Sequence, residues 1–294
     1  MSFCEEEAGL LSMSHPLYPS DMTDQEWSQL ALLLPPARPG GRPRSVDLRL
    51  ILNGIFYLVR TGCAWRMLPR DFPPYQTVYH YFRQWRKNGT WERIHTALRE
   101  QLRRLVGREP MPSAAVLDSQ SVKIAEQCGS RGYDGGKKVH GRKRHLLVDT
   151  QGLVLKVVVS PANITDRTGA EVLLEQVAAD HPRLAKIWAD TGYQGKFVTW
   201  VQEHLGWDLT IARHPWTGSK GVWAKEGAVI DWEALHPSGF HVLPRRWVVE
   251  RTFGWISHSR RLRTDYESLL ASSETMVYLV MIRLMLKRLA SSLS

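Results

Sequence analysis

The chain has 294 residues, 43% apolar and 23% charged, enough for a substantial hydrophobic core and unlike a disordered composition. Lys and Arg number 39 against 29 Asp and Glu, a net charge of +10, which points to a polyanionic partner with nucleic acid as first candidate. Cys4, Cys63 and Cys128 are odd in number and far apart, arguing against a disulfide framework or a cysteine zinc site and for a reducing cytoplasm. No apolar run spans a membrane, since Met276 to Ile282 is broken by Arg283.

Residues 1–22 read as a loose leader, with Met13 and Met22 as alternative starts. Thr23-Asp24-Gln25-Glu26 is a capping box opening an amphipathic helix that ends at Pro35-Pro36. A Pro, Gly and Arg linker, Ala37 to Arg44, precedes a helix over Ser45 to Thr61, stopped by Gly62. Its apolar stripe is Leu48, Leu52, Ile55, Phe56 and Val59. Thr77 to Lys87 and Trp91 to Val106 are two further helices split by Asn88-Gly89, like a helix-turn-helix that directs Arg83, Arg86 and Lys87 at DNA. Residues 23–110 are thus expected to form an all-α, helix-turn-helix-like domain, a candidate for DNA binding.

At Ser113 the periodicity changes. Ala114 to Asp118, Lys143 to Asp149 and Leu153 to Ser160 read as strands, the last two joined by a hairpin turn at Asp149 to Gly152. A helix (Asp166 to Asp180), a strand (Leu184 to Ala189), a helix (Gln194 to His204) and a strand (Trp207 to Ala212) follow. Residues 213–243 are an irregular insertion carrying Trp216, Trp223 and Trp232, candidates for stacking on an unpaired base or for core packing. Helices then cover Arg245 to Ser259 and Ser273 to Ala290. Periodicity supports an α/β domain with a mixed sheet over 111–272 and a separate C-terminal helix over 273–294.

Three carboxylates stand out. Asp118 and Asp190 each end a strand, and Glu250 lies within a helix. Ligands gather at the carboxyl ends of neighbouring strands, and two such acids facing a third can hold two hard cations for in-line displacement at phosphorus. Asp149 is better explained by its turn and Asp166 by helix capping.

These residues sit in recognisable blocks: Gly-Cys-Ala-Trp-Arg-Met-Leu-Pro, Leu-Asp-Ser-Gln-Ser-Val-Lys, Ala-Asp-Thr-Gly-Tyr and Pro-Arg-Arg-Trp-Val-Val-Glu-Arg-Thr-Phe-Gly-Trp. From Tyr18 to Leu289 the chain resembles the DDE-type transposases of bacterial insertion sequences, the IS-five family. The resemblance implies an RNase H-like catalytic domain with Asp118, Asp190 and Glu250 as catalytic and metal-binding triad. It also implies two Mg²⁺ per site, with Mn²⁺ as substitute, and a helical domain on the terminal inverted repeats. The family's last block reads Tyr, two residues, Arg, three residues, Glu, six residues, Lys. Arg246 and Glu250 fit it, whereas Leu243 and Ser257 replace its ends, leaving Arg260 or Arg261 as the nearest substitute for the lysine. Arg246, one helical turn before Glu250, is placed to grip a phosphate.

Arg131 to Arg144 is a Gly-rich basic loop, and Lys137, Lys138, Arg142, Lys143 and Arg144 are expected to track DNA phosphates. His140 and His145 lack a partner at metal spacing. The expected protein is a bacterial, cytoplasmic, nucleoid-associated transposase that cuts and joins double-stranded DNA at inverted repeats and target. It is expected to work as a homodimer on DNA, with the apolar C-terminal helix as one possible interface. The alternatives are an RNase H-like nuclease without strand transfer and a captured DNA-binding regulator.

Overall fold

The computed structural model describes residues 17–37, 40, 44–125, 129–212 and 247–292. Arg246, the insertion tryptophans, Cys4 and Cys128 lie outside the described residues. Four helices come first: α1 (Asp24–Ala31), α2 (Leu48–Thr61), α3 (Tyr75–Lys87) and α4 (Thr90–Leu105). The Thr23 capping box forms in full, with the Thr23 hydroxyl accepting from the Glu26 amide and the Glu26 carboxylate from the Thr23 amide. Asp47 caps α2, and Gly62 ends it in the left-handed region at φ 75°, where a side chain would be strained.

The sheet holds β1 (Ala114–Lys123), β2 (Gly132–Asp134), β3 (Val139–Asp149), β4 (Val154–Pro161), β5 (Lys186–Ala189) and β6 (Asp208–Ile211). Along one path the order is β2-β3-β1-β5-β6, and β4 also pairs with β3. The β1–β3, β2–β3 and β3–β4 pairings are antiparallel, whereas β1–β5 and β5–β6 are parallel. An antiparallel meander continued by parallel α/β crossovers, with helices before it, is an RNase H-like arrangement. Three helices complete the C-terminal part: α7 (Trp247–Ser257), α8 (Arg260–Arg263) and α9 (Leu270–Ser291). The crossovers are α5 (Asp166–Ala178) and α6 (Lys196–Leu205).

Two strands depart from expectation. The first does not end at Asp118 but runs to Lys123, and the third begins at Val139 rather than Lys143, because the two pair continuously from Ala115–Asp149 to Lys123–Gly141. The polar composition of Ser119 to Lys123 hides a strand that is stabilised by its ladder rather than by apolar alternation.

Period-two alternation sorts the sheet into two faces. Ala115, Leu117 and Leu147 pack with α5 and α6, while Val116, Leu146 and Val148 join a larger cluster with α1 to α4, α7 and α9. That larger cluster is continuous from the N-terminal helices into the sheet. Its spine is α9, whose Met276, Leu279 and Met281 are buried, with Leu284 partly buried against the same core. The C-terminal helix is therefore core, and these residues are not a subunit interface. Its apolar surface is broad because α4, β4, α1 and α2 contact it on several sides, while Arg283, Lys287 and Arg288 keep one side polar.

Candidate active site

Asp118 lies mid-strand in β1, and Asp190 is the first residue past β5, capping the turn that follows through a bond from the Gly192 amide at 2.9 Å. The parallel ladder aligns Ala114 with Lys186 and Val116 with Trp188. Continued two residues, that register sets Asp118 beside Asp190. Parity then assigns their face. Asp118 shares it with Val116, and Asp190 with Trp188, both packed in the larger cluster that contains Val248, Val249 and Phe253 of α7. Glu250 is on the first turn of α7, exposed, and α7 packs over β1 and β3. The fold thus brings the three carriers to one side of the sheet. Among the described residues no three His, Cys, Asp or Glu side chains form a cluster poised to hold a metal ion.

Behind the two aspartates lies Tyr193, from the same Ala-Asp-Thr-Gly-Tyr block. It is buried, and burial, reinforced by Asp118, Asp166 and Asp190, pushes its phenol well above the usual range. The phenol therefore stays protonated, and its ring packs in the cluster formed with α5 and α6. Sequence reasoning passed over it because a tyrosine two residues beyond a turn carries no spacing signal.

Asp166 belongs to the other face. Thr165, not Asp166, caps α5. The Asp166 carboxylate instead accepts from the Ser119 hydroxyl at 2.7 Å and pairs with Lys143 at 3.0 Å. Ser119 alternates with Asp118, so the side chain that holds Asp166 leaves β1 on the opposite face from Asp118. Asp149 is the expected turn residue, accepting from the Gln151 and Leu153 amides at 2.9 Å. It is also fully buried in an ion pair with Arg103 of α4, a partner not legible in the sequence.

The basic hairpin requires correction. Arg142, Lys143 and Arg144 are 0%, 6% and 1% exposed and cannot track phosphates on a surface. Arg142 pairs with Asp265 at 3.2 Å, Lys143 with Asp166 and Asp134, and Arg144 donates to the Leu262 carbonyl at 2.8 Å. A buried cation persists only with such partners, here supplied by segments remote in sequence. Lys137 and Lys138 stay exposed on the tight turn between β2 and β3, and the Lys137 ammonium reaches the Ser119 carbonyl at 3.4 Å. In α3, Arg83 and Lys87 are exposed along a groove of about 390 Å³, while Arg86 is half-buried. Phe82 and Trp85 are core, and Tyr79 is exposed. Arg261 is buried on Glu267 and cannot stand in for the missing lysine, whereas Arg260 is exposed.

His145 is buried against the Ser160 hydroxyl at 2.9 Å, and burial lowers it from 6.5 to about 4. Between those values the unfolded chain binds a proton that the folded chain does not, so stability falls as pH drops from about 6.5 to 4. The expected loss is on the order of 3 kcal/mol. His95 and His181, also lowered by burial, act in the same direction. Asp134 and Asp166 are lowered carboxylates whose contributions are lost only at more acid pH. Urea midpoints at pH 7.5 and 4.5 check this, and His145→Gln should flatten the difference. Equal midpoints for the unsubstituted protein would contradict it.

Comparison with known families agrees with the topology. Residues 109–285 match the family model described as "Transposase DDE domain", more than half the chain.

The chain belongs to the DDE transposases.

Residues 22–95 of the transposase match a second model, "Putative transposase of IS4/5 family". It is 32% identical over 108 residues to "Insertion element IS402 uncharacterized 16.2 kDa protein" of Burkholderia cepacia, covering 34% of this chain and 71% of that one. It is 28% identical over 134 residues to "Putative transposase for insertion sequence element IS402" of the same organism. That match covers 43% of this chain and only about half, 54%, of the relative. No solved structure matches. As a DDE transposase the chain is a metal-dependent DNA-cleaving enzyme, and among the described residues no helix is long and apolar enough to cross a membrane.

Proposed function

We propose that this transposase binds the terminal inverted repeats of its insertion sequence and cuts and joins DNA there, with Asp118, Asp190 and Glu250 as the catalytic, metal-holding acids. The observation that carries this is the register of β1 on β5, which sets the two aspartates side by side on the face covered by the Glu250 helix. The donor set is all carboxylate oxygen, which fits Mg²⁺ or Mn²⁺. Two such ions, when bound, would polarise the scissile phosphate and stabilise the leaving 3′-oxygen. The protein's own part is positional. The β1–β3 ladder fixes Asp118, whose carboxylate accepts from the Ser119 amide at 2.7 Å, and Asp190, just past β5, is held by the Gly192 amide. Arg83 and Lys87 on α3, with Lys137 and Lys138 on the hairpin, are the exposed cations we assign to DNA phosphates. Arg86, partly withdrawn, supports α3, and Arg246 keeps its proposed phosphate role beside Glu250. Pairing two element ends calls for a homodimer on DNA, working at the bacterial nucleoid.

The test is strand transfer. Unsubstituted protein, a labelled duplex ending in the element's terminal repeat and a target plasmid are incubated with Mg²⁺ or Mn²⁺. Labelled end joined to plasmid is the expected product. Hydrolysis without joining would make the protein a nuclease, and end binding without cleavage would make it a regulator.

A further inference from the structure

The sequence concentrates positive charge on one hairpin, and the fold consumes most of that charge in internal pairs. A different cationic surface is assembled from residues that are far apart in the chain. Between α2, the end of α7 and α9 lies a groove of about 430 Å³. Arg60, His258, Arg283 and Lys287 line it together with Trp255, and no Asp or Glu is among its lining residues. Glu26, an acid beside the groove, is buried and already engaged with Arg283 and the α1 cap. Burial and the neighbouring Arg283 and Arg60 hold the Lys287 ammonium below its usual range. Cations crowded in this way repel one another unless a polyanion joins them.

The groove continues towards the acids. Arg251 and Arg288 both stack on the Trp255 indole, at 4.7 and 4.4 Å from its centroid. Arg251 also stacks on Trp247 at 4.4 Å. Stacking fixes the plane of a guanidinium, so little is left to order when a phosphate meets it; Arg251 already donates from Nη2 to the Gln151 carbonyl at 2.7 Å and has its other nitrogens for that contact. Trp247, Glu250, Arg251 and Gly254 follow one another at helical spacing along the solvent side of α7, and His258 comes just past its end. The acid and the cationic track therefore share one helix.

We propose that the α2–α7–α9 groove and the adjoining Arg251–Trp255–Arg288 stack form a phosphate-binding track that leads the backbone of duplex DNA to Glu250. This rests on the transposase reading of the site. Lys287→Gln/Arg288→Gln is compared with the unsubstituted protein for binding a fluorescent duplex of arbitrary sequence across a KCl series, with melting temperature as a check of folding. A second pair, Arg108→Gln/Arg183→Gln, removes the same charge from exposed positions near the start of β1 and β5. The first pair should weaken binding roughly tenfold and lower the slope of log affinity on log salt by about 2, whatever the sequence. The second pair should change the slope little. An unchanged slope in the first pair, or an equal loss in both pairs, would overturn the track while leaving the transposase reading standing. If the unsubstituted protein binds no duplex, the transposase reading itself fails and the track falls with it.

Discussion

Asp118→Asn and Glu250→Gln should each lower metal-dependent cleavage by roughly 10³-fold, the equivalent of several kcal/mol of charge stabilisation withdrawn from the transition state. Each change keeps the volume of the side chain and one acceptor oxygen while removing the charge that a divalent cation needs. Binding of the terminal-repeat duplex should survive, and without added metal it should tighten slightly because one carboxylate no longer repels the backbone. Asp166→Asn is the informative control. The Asp166 carboxylate is tied to Lys143 and to Ser119, whose side chain alternates with Asp118 along β1. Its loss should lower stability and leave the cleavage rate within a few-fold of the unsubstituted protein. Single-turnover cleavage and fluorescence anisotropy on the same preparations give both readouts. If Asp166→Asn is dead while Asp118→Asn cleaves, the site has been placed on the wrong face.

The second large effect is on stability. Asp149→Ala removes the partner of the buried Arg103 and the acceptor for the Gln151 and Leu153 amides. Breaking a buried pair on one side leaves an uncompensated charge and costs about 3–5 kcal/mol. Arg99, buried close by, also relies on the field of Asp149, which partly offsets the effect of burial on its guanidinium. The melting temperature should fall by roughly 10 °C. Arg103→Leu/Asp149→Asn should recover much of the loss, because the charge is then absent from both sides and the Asn oxygen can still accept from the turn. Thermal melts of the single and double variants measure the coupling directly, and a melting temperature for Asp149→Ala within a degree or two of the original would refute it.

Much of this architecture was legible in the sequence because its signals are local. The Thr23 box, the Gly62 stop and the Asp149–Gly152 hairpin each require a few neighbouring residues of defined type, and each forms. The helices were recognisable from apolar periodicity, and the family blocks surround Asp118, Asp190 and Glu250. What escaped depends on distant partners. Nothing within Arg142-Lys143-Arg144 announces that Asp265, Asp166 and the Leu262 carbonyl will enclose them. Asp166 looked like a cap because it opens a helix, yet Thr165 takes that role and frees the carboxylate for Ser119. An apolar face on α9 reads equally as interface or core until the surrounding helices are known.

The continuous core that joins the N-terminal helices to the sheet through α9 has a geometric consequence for the reaction. In an enzyme with its reading head on a flexible tether, the distance between the recognised bases and the broken bond would vary with the tether. Here α3 packs into the same apolar cluster that carries α7 and the inner face of β1. A helix anchored in this way acts as a fixed ruler. Under the DNA contact proposed above for α3, the acids would stand at a set number of base pairs from it. The cut should then follow the recognition sequence when that sequence is shifted along a duplex, keeping one constant offset.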